Sequence, residues 1–294
     1  MSTKRKQKIN QSQCKERIVR IILGVSLVAF WILSSKTILA IEETEMRELP
    51  KYDCVWISEQ LKIDAILSES AWNKAQEVEL LITDTEEKPQ NPTRIKLLWN
   101  DSYLYIGYFC LDPEVWATID KRDGDLYKEE VVEAFIDADS DLRTYLELEV
   151  NPLNALFDAF VLNAKDRNQG ICVMRDWNSK GIKHTVKIDG ELNSRKDTDK
   201  SLPSNPALER SEGEVKGWTC EIAIPLKDFY TAPNCPPKPG DVWRINLYRI
   251  DHRKDENEHS FASRIRESEY SAWSTTGKID FHIPQRFGYL KFVK

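Results

Sequence analysis

The segment Gly217-Trp218-Thr219-Cys220-Glu221-Ile222-Ala223-Ile224-Pro225, with the later Pro239-Gly240-Asp241-Val242-Trp243-Arg244-Ile245-Asn246-Leu247-Tyr248-Arg249, reads as two β-strands. Polarity switches around Trp218, Glu221 and Ala223 as it does in a half-buried sheet. A proline closes the first strand and a Pro-Gly turn opens the second. Glu221, Arg244, Asn246 and Arg249 are polar groups that an apolar core does not need. The pair therefore predicts a sheet with a polar face, and on a sandwich such a face binds a ligand. Asn246 and Arg249 stand three apart, so they point to opposite faces. Arg249 is read as the ligand contact and Asn246 as structural.

Working outward, Thr93 to Trp99 and Tyr103 to Cys110 form a hairpin about Asn100-Asp101-Ser102. Val131 to Asp137, Tyr145 to Asn151, Phe157 to Leu162 and Thr185 to Gly190 are further alternating strands. Ile63 to Trp72 reads as a turn and a short helix, with Ser68 or Ser70 as its cap and Trp72 beneath the sheet. Short strands with few helical patterns predict an all-β fold, an antiparallel β-sandwich of the Ig-like jelly-roll type with short helices. Residues 193–217 are rich in Ser, Asp, Lys, Pro and Glu and form a polar loop inserted within the domain. The sandwich domain is expected over 53–294, after a linker at 41–52.

The first 40 residues differ in kind. Basic residues up to Arg20 precede an apolar run of 13 residues, Ile21 to Leu33, and Ala40 offers a small residue for cleavage. The run is shorter than the ~20 residues of a membrane-spanning helix. Extended to Ile18–Ile41, it takes in Arg20 and Lys36. A cleaved signal peptide and a retained, tilted membrane anchor both fit. The protein is therefore expected to be secreted, periplasmic or extracellular, or tethered by that segment. Residues 1–40 hold eight Lys/Arg and one Glu, so of the net −6 the remainder carries −13. So acidic a domain repels phosphate backbones, which argues against nucleic acid as a partner. Five of the six cysteines follow Ala40, none in CxxC spacing, which excludes the common zinc and redox motifs. Cys110 and Cys220 lie in apolar strands and are expected to be buried thiols.

In their order, these pieces resemble the family 9 carbohydrate-binding modules, sandwich domains related to the DOMON group. Ile63-Asp64-Ala65-Ile66-Leu67 with Ala71-Trp72 is similar to the family's opening motif, with Ala65 in place of its glycine. Val131-Val132-Glu133-Ala134-Phe135-Ile136-Asp137 resembles its central acidic strand, and Tyr145, Glu147 and Asn151-Pro152 the strand after it. Gly217 to Pro225, Pro239 to Arg249, Trp273, His282-Ile283-Pro284 and Phe287-Gly288 resemble its end. The resemblance covers about 230 residues, Ile63 to Lys294. It implies non-catalytic binding of an oligosaccharide or polysaccharide of the cello- or xylo-type in carbohydrate catabolism, and leaves room for a structural calcium.

Sugar recognition needs aromatic faces for C–H surfaces and hydrogen-bonding side chains for hydroxyls. Trp177, in the polar turn Arg175-Asp176-Trp177-Asn178-Ser179, is either a loop anchor or a stacking platform, and the resemblance places Trp177 and Asn178 beside the sugar cleft. Trp273 and Trp116 are further candidates, whereas Trp72, Trp99, Trp218 and Trp243 read as packing. Lys121-Arg122-Asp123-Gly124-Asp125 is either a solvated turn or a source of contacts through Arg122, Asp123 and Asp125. Glu133 sits within an apolar strand, where a carboxylate needs partners, and is a candidate ligand group. Glu221 is another. Asp137-Ala138-Asp139-Ser140-Asp141 alternates like a calcium loop but lacks the following glycine and the closing glutamate of an EF-hand. It reads as a strand-end turn, so the metal ligands are unassigned.

Two rivals stand beside sugar binding. A glycoside hydrolase needs two carboxylates about 5–10 Å apart. Glu133, Glu147 and Glu149 are available, although 147 and 149 share a face and also read as a solvated stripe. A haem-binding electron carrier needs axial His or Met ligands. After the leader the chain offers Met46, Met174, His184, His252, His259 and His282; His282 reads as structural, and His252 and His259 as solvated.

Overall fold

In this computed structural model the described residues are 48–190, 192, 217–252 and 268–294. The leader or anchor, His259 and almost all of the loop at 193–217 lie outside them. The strands are β1 (Lys51–Trp56), β2 (Glu77–Glu79), β3 (Leu81–Ile82), β4 (Thr93–Trp99), β5 (Tyr103–Leu111), β6 (Val131–Asp137) and β7 (Thr144–Val150). They continue with β8 (Leu156–Asn163), β9 (Ile171–Met174), β10 (Lys183–Asp189), β11 (Gly217–Pro225), β12 (Val242–Asp251), β13 (Glu269–Ala272) and β14 (Gly288–Val293). Among the described residues, helix is confined to single 3₁₀ turns such as Ser70–Lys74 and Leu126–Lys128. No helix of the described residues is long and apolar enough to cross a membrane.

Hydrogen bonding joins the strands in the order β10-β11-β5-β4-β1-β14-β12-β6-β7-β8-β9. Neighbours are antiparallel except β1, which runs parallel to both β14 and β4. The sheet curls so that β4, β5 and β11 face β6, β7 and β12 across one core, which holds Leu97, Ile106 and Ile222 together with Val132, Leu148 and Leu247. The phenol of Tyr108 on β5 donates to the Glu133 carbonyl on β6 at 2.8 Å, a buried bond between the layers. The fold is thus the expected β-sandwich, with one parallel strand added. That strand begins at Lys51, within the stretch read as linker, and carries the core residues Tyr52 and Cys54.

Local chemistry explains the turns. Asn100 closes the β4–β5 hairpin, its Oδ1 accepting from the backbone N–H of Ser102 and of Tyr103, both at 2.9 Å. The Ser70–Lys74 turn has Glu69 at its cap without a side-chain bond, so neither expected serine caps it. Trp72 is buried on the outer face of β4 and β5 against Leu98 and Tyr105. Gly107 leaves room there, since a Cβ would stand 2.6 Å from Leu67 Cδ2 and the leucine side chain would have to shift. Trp99, Trp218 and Trp243 are buried, as are Cys110 and Cys220. All five cysteines among the described residues are free thiols.

Candidate functional site

Strands β6, β7, β8 and β12 are covered on both faces. Val132, Leu148, Leu156 and Leu247 enter the core between the layers. By the two-residue period, the alternate residues Glu133, Phe135, Glu147, Glu149, Phe157 and Ile250 point the other way. Register sets Glu133 opposite Glu149 on β7 and opposite Tyr248 on β12, with Phe157 beyond Glu149 on β8. Phe135 stands opposite Glu147 in the next row. Over this floor lie Tyr127, Tyr270, Arg175 and the segment Ile279–His282, and together they enclose a cavity of about 350 Å³.

The cavity is aromatic in its walls and acidic in its floor. Burial, then repulsion from Glu147, pushes the Glu133 carboxyl well above the ordinary glutamate range. Burial and the charges of Glu133 and Glu147 do the same to Glu149. Burial pushes Glu147 up to about 7, against the pull of a hydrogen bond with Glu149 and the charge of Arg175. Oε2 of Glu147 and Oε2 of Glu149 are buried without a hydrogen-bond partner. His282 meets the phenol of Tyr145 through Nδ1 at 2.7 Å, and its Nε2 lies 4.0 Å from Glu147. Burial lowers the His282 imidazole to about 4, so it is neutral at pH 7 and does not balance the acids. Arg175 lies over the Phe157 ring at 5.0 Å. Its Nη2 donates to the Asp123 carbonyl and to Asp125, both at 2.9 Å.

The residues expected from sequence divide into three groups. Glu133 is on the cavity floor, and Asp123 and Asp125 hold Arg175 at its rim. Arg122 and Asn178 lie together outside it, Arg122 Nε donating to Asn178 at 2.5 Å and its Nη2 to the buried Asp158. Trp177 is half-buried and packs on the core between the layers, which is the loop-anchor arrangement. Arg249, Trp273 and Glu221 do not line this cavity. Arg249 shares the face of Leu247, which is the inside of the sandwich; it is 1% exposed and pairs with Asp112 at 2.7 Å and Asp251 at 3.5 Å. Trp273 packs edge-on against Tyr52, and Gly288 is small because a Cβ would stand 2.4 Å from the indole. Glu221 is buried, its Oε2 accepting from the backbone N–H of Asp64 at 3.0 Å and Ala65 at 2.9 Å. It pins the loop before Trp72.

Other readings shift as well. His252 is buried rather than solvated, with Nδ1 on the Ser268 hydroxyl and Nε2 on the Tyr127 carbonyl. Trp116 donates to the His252 carbonyl from a position 9% exposed. Asn246 is structural, bonded through both side-chain ends to Ser274. Tyr127, Phe157, Arg175 and Tyr270 line the cavity without having been singled out. The signal for Phe157 was present, since it leads the alternating run through Leu162. Tyr127 and Arg175 lie in loops, where no period points to a face.

Two acidic groups bring three carboxylate oxygens within 4.8 Å of one another among the described residues: Asp112–Glu130–Asp251 and Asp137–Asp139–Asp141. In the first, Arg249 already supplies the positive charge, and Trp116 N–H and Asn91 Nδ2 donate to Glu130 and Asp251. The second fits a metal ion better. Asp137 Oδ1 is buried without a partner, while its Oδ2 accepts from Leu142 N–H at 2.9 Å. Hard oxygen ligands of this kind suit calcium.

Comparison with known proteins follows the same lines. The family model described as carbohydrate family 9 binding domain-like matches residues 63–294. An "Extracellular protein" of Arthroderma benhamiae is 30% identical over 231 residues, covering 76% of this chain and 87% of that protein. Among solved structures, a family 9 carbohydrate-binding module from Caldicellulosiruptor kristjanssonii in complex with cellotriose superposes with a TM-score of 0.53 at 15% identity, covering 83% of this chain and 94% of that one. The same kind of module from that organism in complex with glucose gives 0.50 at 15% identity, covering 83% and 95%.

Proposed function

The chain belongs to the carbohydrate family 9 binding domain-like family, and from that premise we propose that the cavity over β6–β9 and β12 binds the end of a carbohydrate without cleaving it. The observation that carries the reading is a cavity of about 350 Å³ whose aromatic walls surround inward-facing carboxyl groups. That volume is at the small end of the ~300–1,000 Å³ of ligand pockets, which suits a chain terminus rather than a long polysaccharide face. Tyr127 is 40% exposed at the mouth and offers its ring to a sugar C–H face, with Tyr270 as a second wall. Glu133 and Arg175 reach hydroxyls. Asp123 and Asp125 act by positioning Arg175, and Arg122, Asn178 and Trp177 support the adjoining loop. Hydrolysis would ask for one protonated and one ionised carboxyl. Glu133 and Glu149 stand opposite each other in one buried environment, which sets neither apart as acid or base.

Export is part of the proposal. The basic and apolar order of residues 1–40 supports a leader or anchor ahead of the domain, and the relative from Arthroderma benhamiae is called extracellular. A structural calcium, if carried, would be held by Asp137, Asp139 and Asp141 and would neutralise the turn between β6 and β7. Calorimetric titration with cello- and xylo-oligosaccharides tests the binding site. Tyr127→Ala, at an exposed position, is expected to weaken binding by about tenfold, the loss of one stacking ring. Unchanged affinity in that variant would move the site elsewhere. A chromogenic glycoside hydrolysed by the wild type but not by Glu133→Gln would replace binding with catalysis.

A further inference from the structure

The chemistry of the occupant can be taken further, on the reading that the cavity takes a carbohydrate. Glu133, Glu147, Glu149 and Asp280 face the cavity. Asp280 is already paired, with Lys165 at 2.8 Å and Lys278 at 3.6 Å. Arg175 is the cationic side chain in the lining, and it is engaged by Asp125 and the Asp123 carbonyl. His282 is the imidazole there, and it is neutral at pH 7. Among the described residues, the floor thus holds acids without a matching cation.

Two further observations point to what would complete it. Glu147 and Glu149 are 6% and 3% exposed, and the Oε2 of each has no hydrogen-bond partner. A buried polar atom left unpaired is destabilising, and the opposed carboxyls of Glu133 and Glu149 repel when ionised. No three of these glutamates bring a carboxylate oxygen each within 4.8 Å of one another, as a small metal ion would ask, whereas Glu147 and Glu149 are close enough to hydrogen-bond. An ammonium group carried on a ring asks for only such a pair, and the faces of Phe157, Tyr270 and Phe281 attract a cation where a neutral hydroxyl gains less.

We propose that the sugar taken by this cavity bears a protonated amine, as a 2-amino-2-deoxyhexose does, with its ammonium seated against Glu147 and Glu149 and its ring against the aromatic walls. The two carboxyls line the cavity with their Oε2 atoms buried in the free protein, and they turn to accept from the ammonium. A carboxyl that is protonated in the free protein gives up its proton as the ammonium arrives, so binding releases protons.

The test is titration of the full chain in 0.15 M salt with three oligosaccharides of equal length: β-1,4-linked glucosamine, its N-acetylated counterpart, and cello-oligosaccharide. The free amine is expected to bind at least about tenfold more tightly than either neutral sugar, as a charge-assisted hydrogen bond implies. Its apparent enthalpy should vary between buffers of different ionisation enthalpy, which reads the released proton. Glu147→Gln and Glu149→Gln should lose the preference for the amine over the neutral sugars, with melting temperatures at or above the wild type. Equal or tighter binding of the neutral sugars overturns the amine and leaves the carbohydrate reading intact. A preference that survives in both folded variants overturns the seat. No binding of any of the three by folded wild type overturns both readings. Should the variants fail to fold, the comparison of charged with neutral sugars on the wild type decides.

Discussion

Arg249 shows how a residue's neighbours, rather than its type, decide its role. Its guanidinium is 1% exposed and lies among Asp112, Glu130 and Asp251, with Trp218 beneath it at 5.9 Å. Removing one member of such a buried ionic group leaves the others charged and unpaired, at a cost of about 3–5 kcal/mol. Arg249→Ala should therefore lower unfolding free energy by that amount in urea titration. An arginine that only touched a ligand would lose affinity with stability unchanged, and that outcome would refute the structural role. The face of Arg249 was legible in the sequence, since it follows from its parity with Leu247. Its burial was not, because the closing partner Asp112 lies 137 positions away. Glu133 was marked by the reverse logic, as a lone acid in an apolar strand. Its opposition to Glu149 is a matter of register, which a period of two leaves open.

At the level of elements, the strands announced by alternation are present, Val131–Asp137 and Gly217–Pro225 with the bounds expected. Strand β1 went unread as a strand although Tyr52, Cys54 and Trp56 alternate with Lys51 and Asp53, because it adjoins a polar stretch. The site was harder to place for a physical reason. Strands β6, β7 and β12 are buried on both faces, so polarity does not separate core from cavity. The turn between β6 and β7 carries a prediction of its own. Ser140 and Leu142 both adopt left-handed backbone, with φ of 59° and 61°, in the turn that brings Asp137, Asp139 and Asp141 together. An ion bound only by the folded state stabilises it by about 2.7 kcal/mol at a hundred times its Kd. Calcium should raise the melting temperature and a chelator should reverse the gain. Asp137→Asn should melt alike in both conditions, since the amide oxygen keeps the Leu142 bond but the carboxylate is gone. Identical melting of the wild type with calcium and with chelator would remove the ion from the turn.

Across the whole domain, buried acids give stability an unusual pH dependence. Burial is the first cause that raises Glu133, Glu147, Glu149, Glu130 and Glu221 above the glutamate range, with Glu147 and Glu221 at about 7. Between the unfolded value near 4.5 and the raised folded value, the folded chain holds protons that the unfolded chain has lost. Stability is then greatest below about 4.5 for each such group and declines as pH rises, by up to about 1.4 kcal/mol per pH unit. His184 and His282 oppose this, because burial lowers both and the unfolded chain binds their protons first. Their effect ends near the ordinary histidine value of about 6.5. Above it the carboxyls act without that opposition. The melting temperature should therefore fall from pH 6.5 to 8, and Glu149→Gln should flatten the fall by removing one titrating group and its repulsion of Glu133. Thermal unfolding across that range is the measurement. A melting temperature that is level or climbs toward pH 8 would mean that these carboxyls are already ionised, with compensation by cations in the cavity.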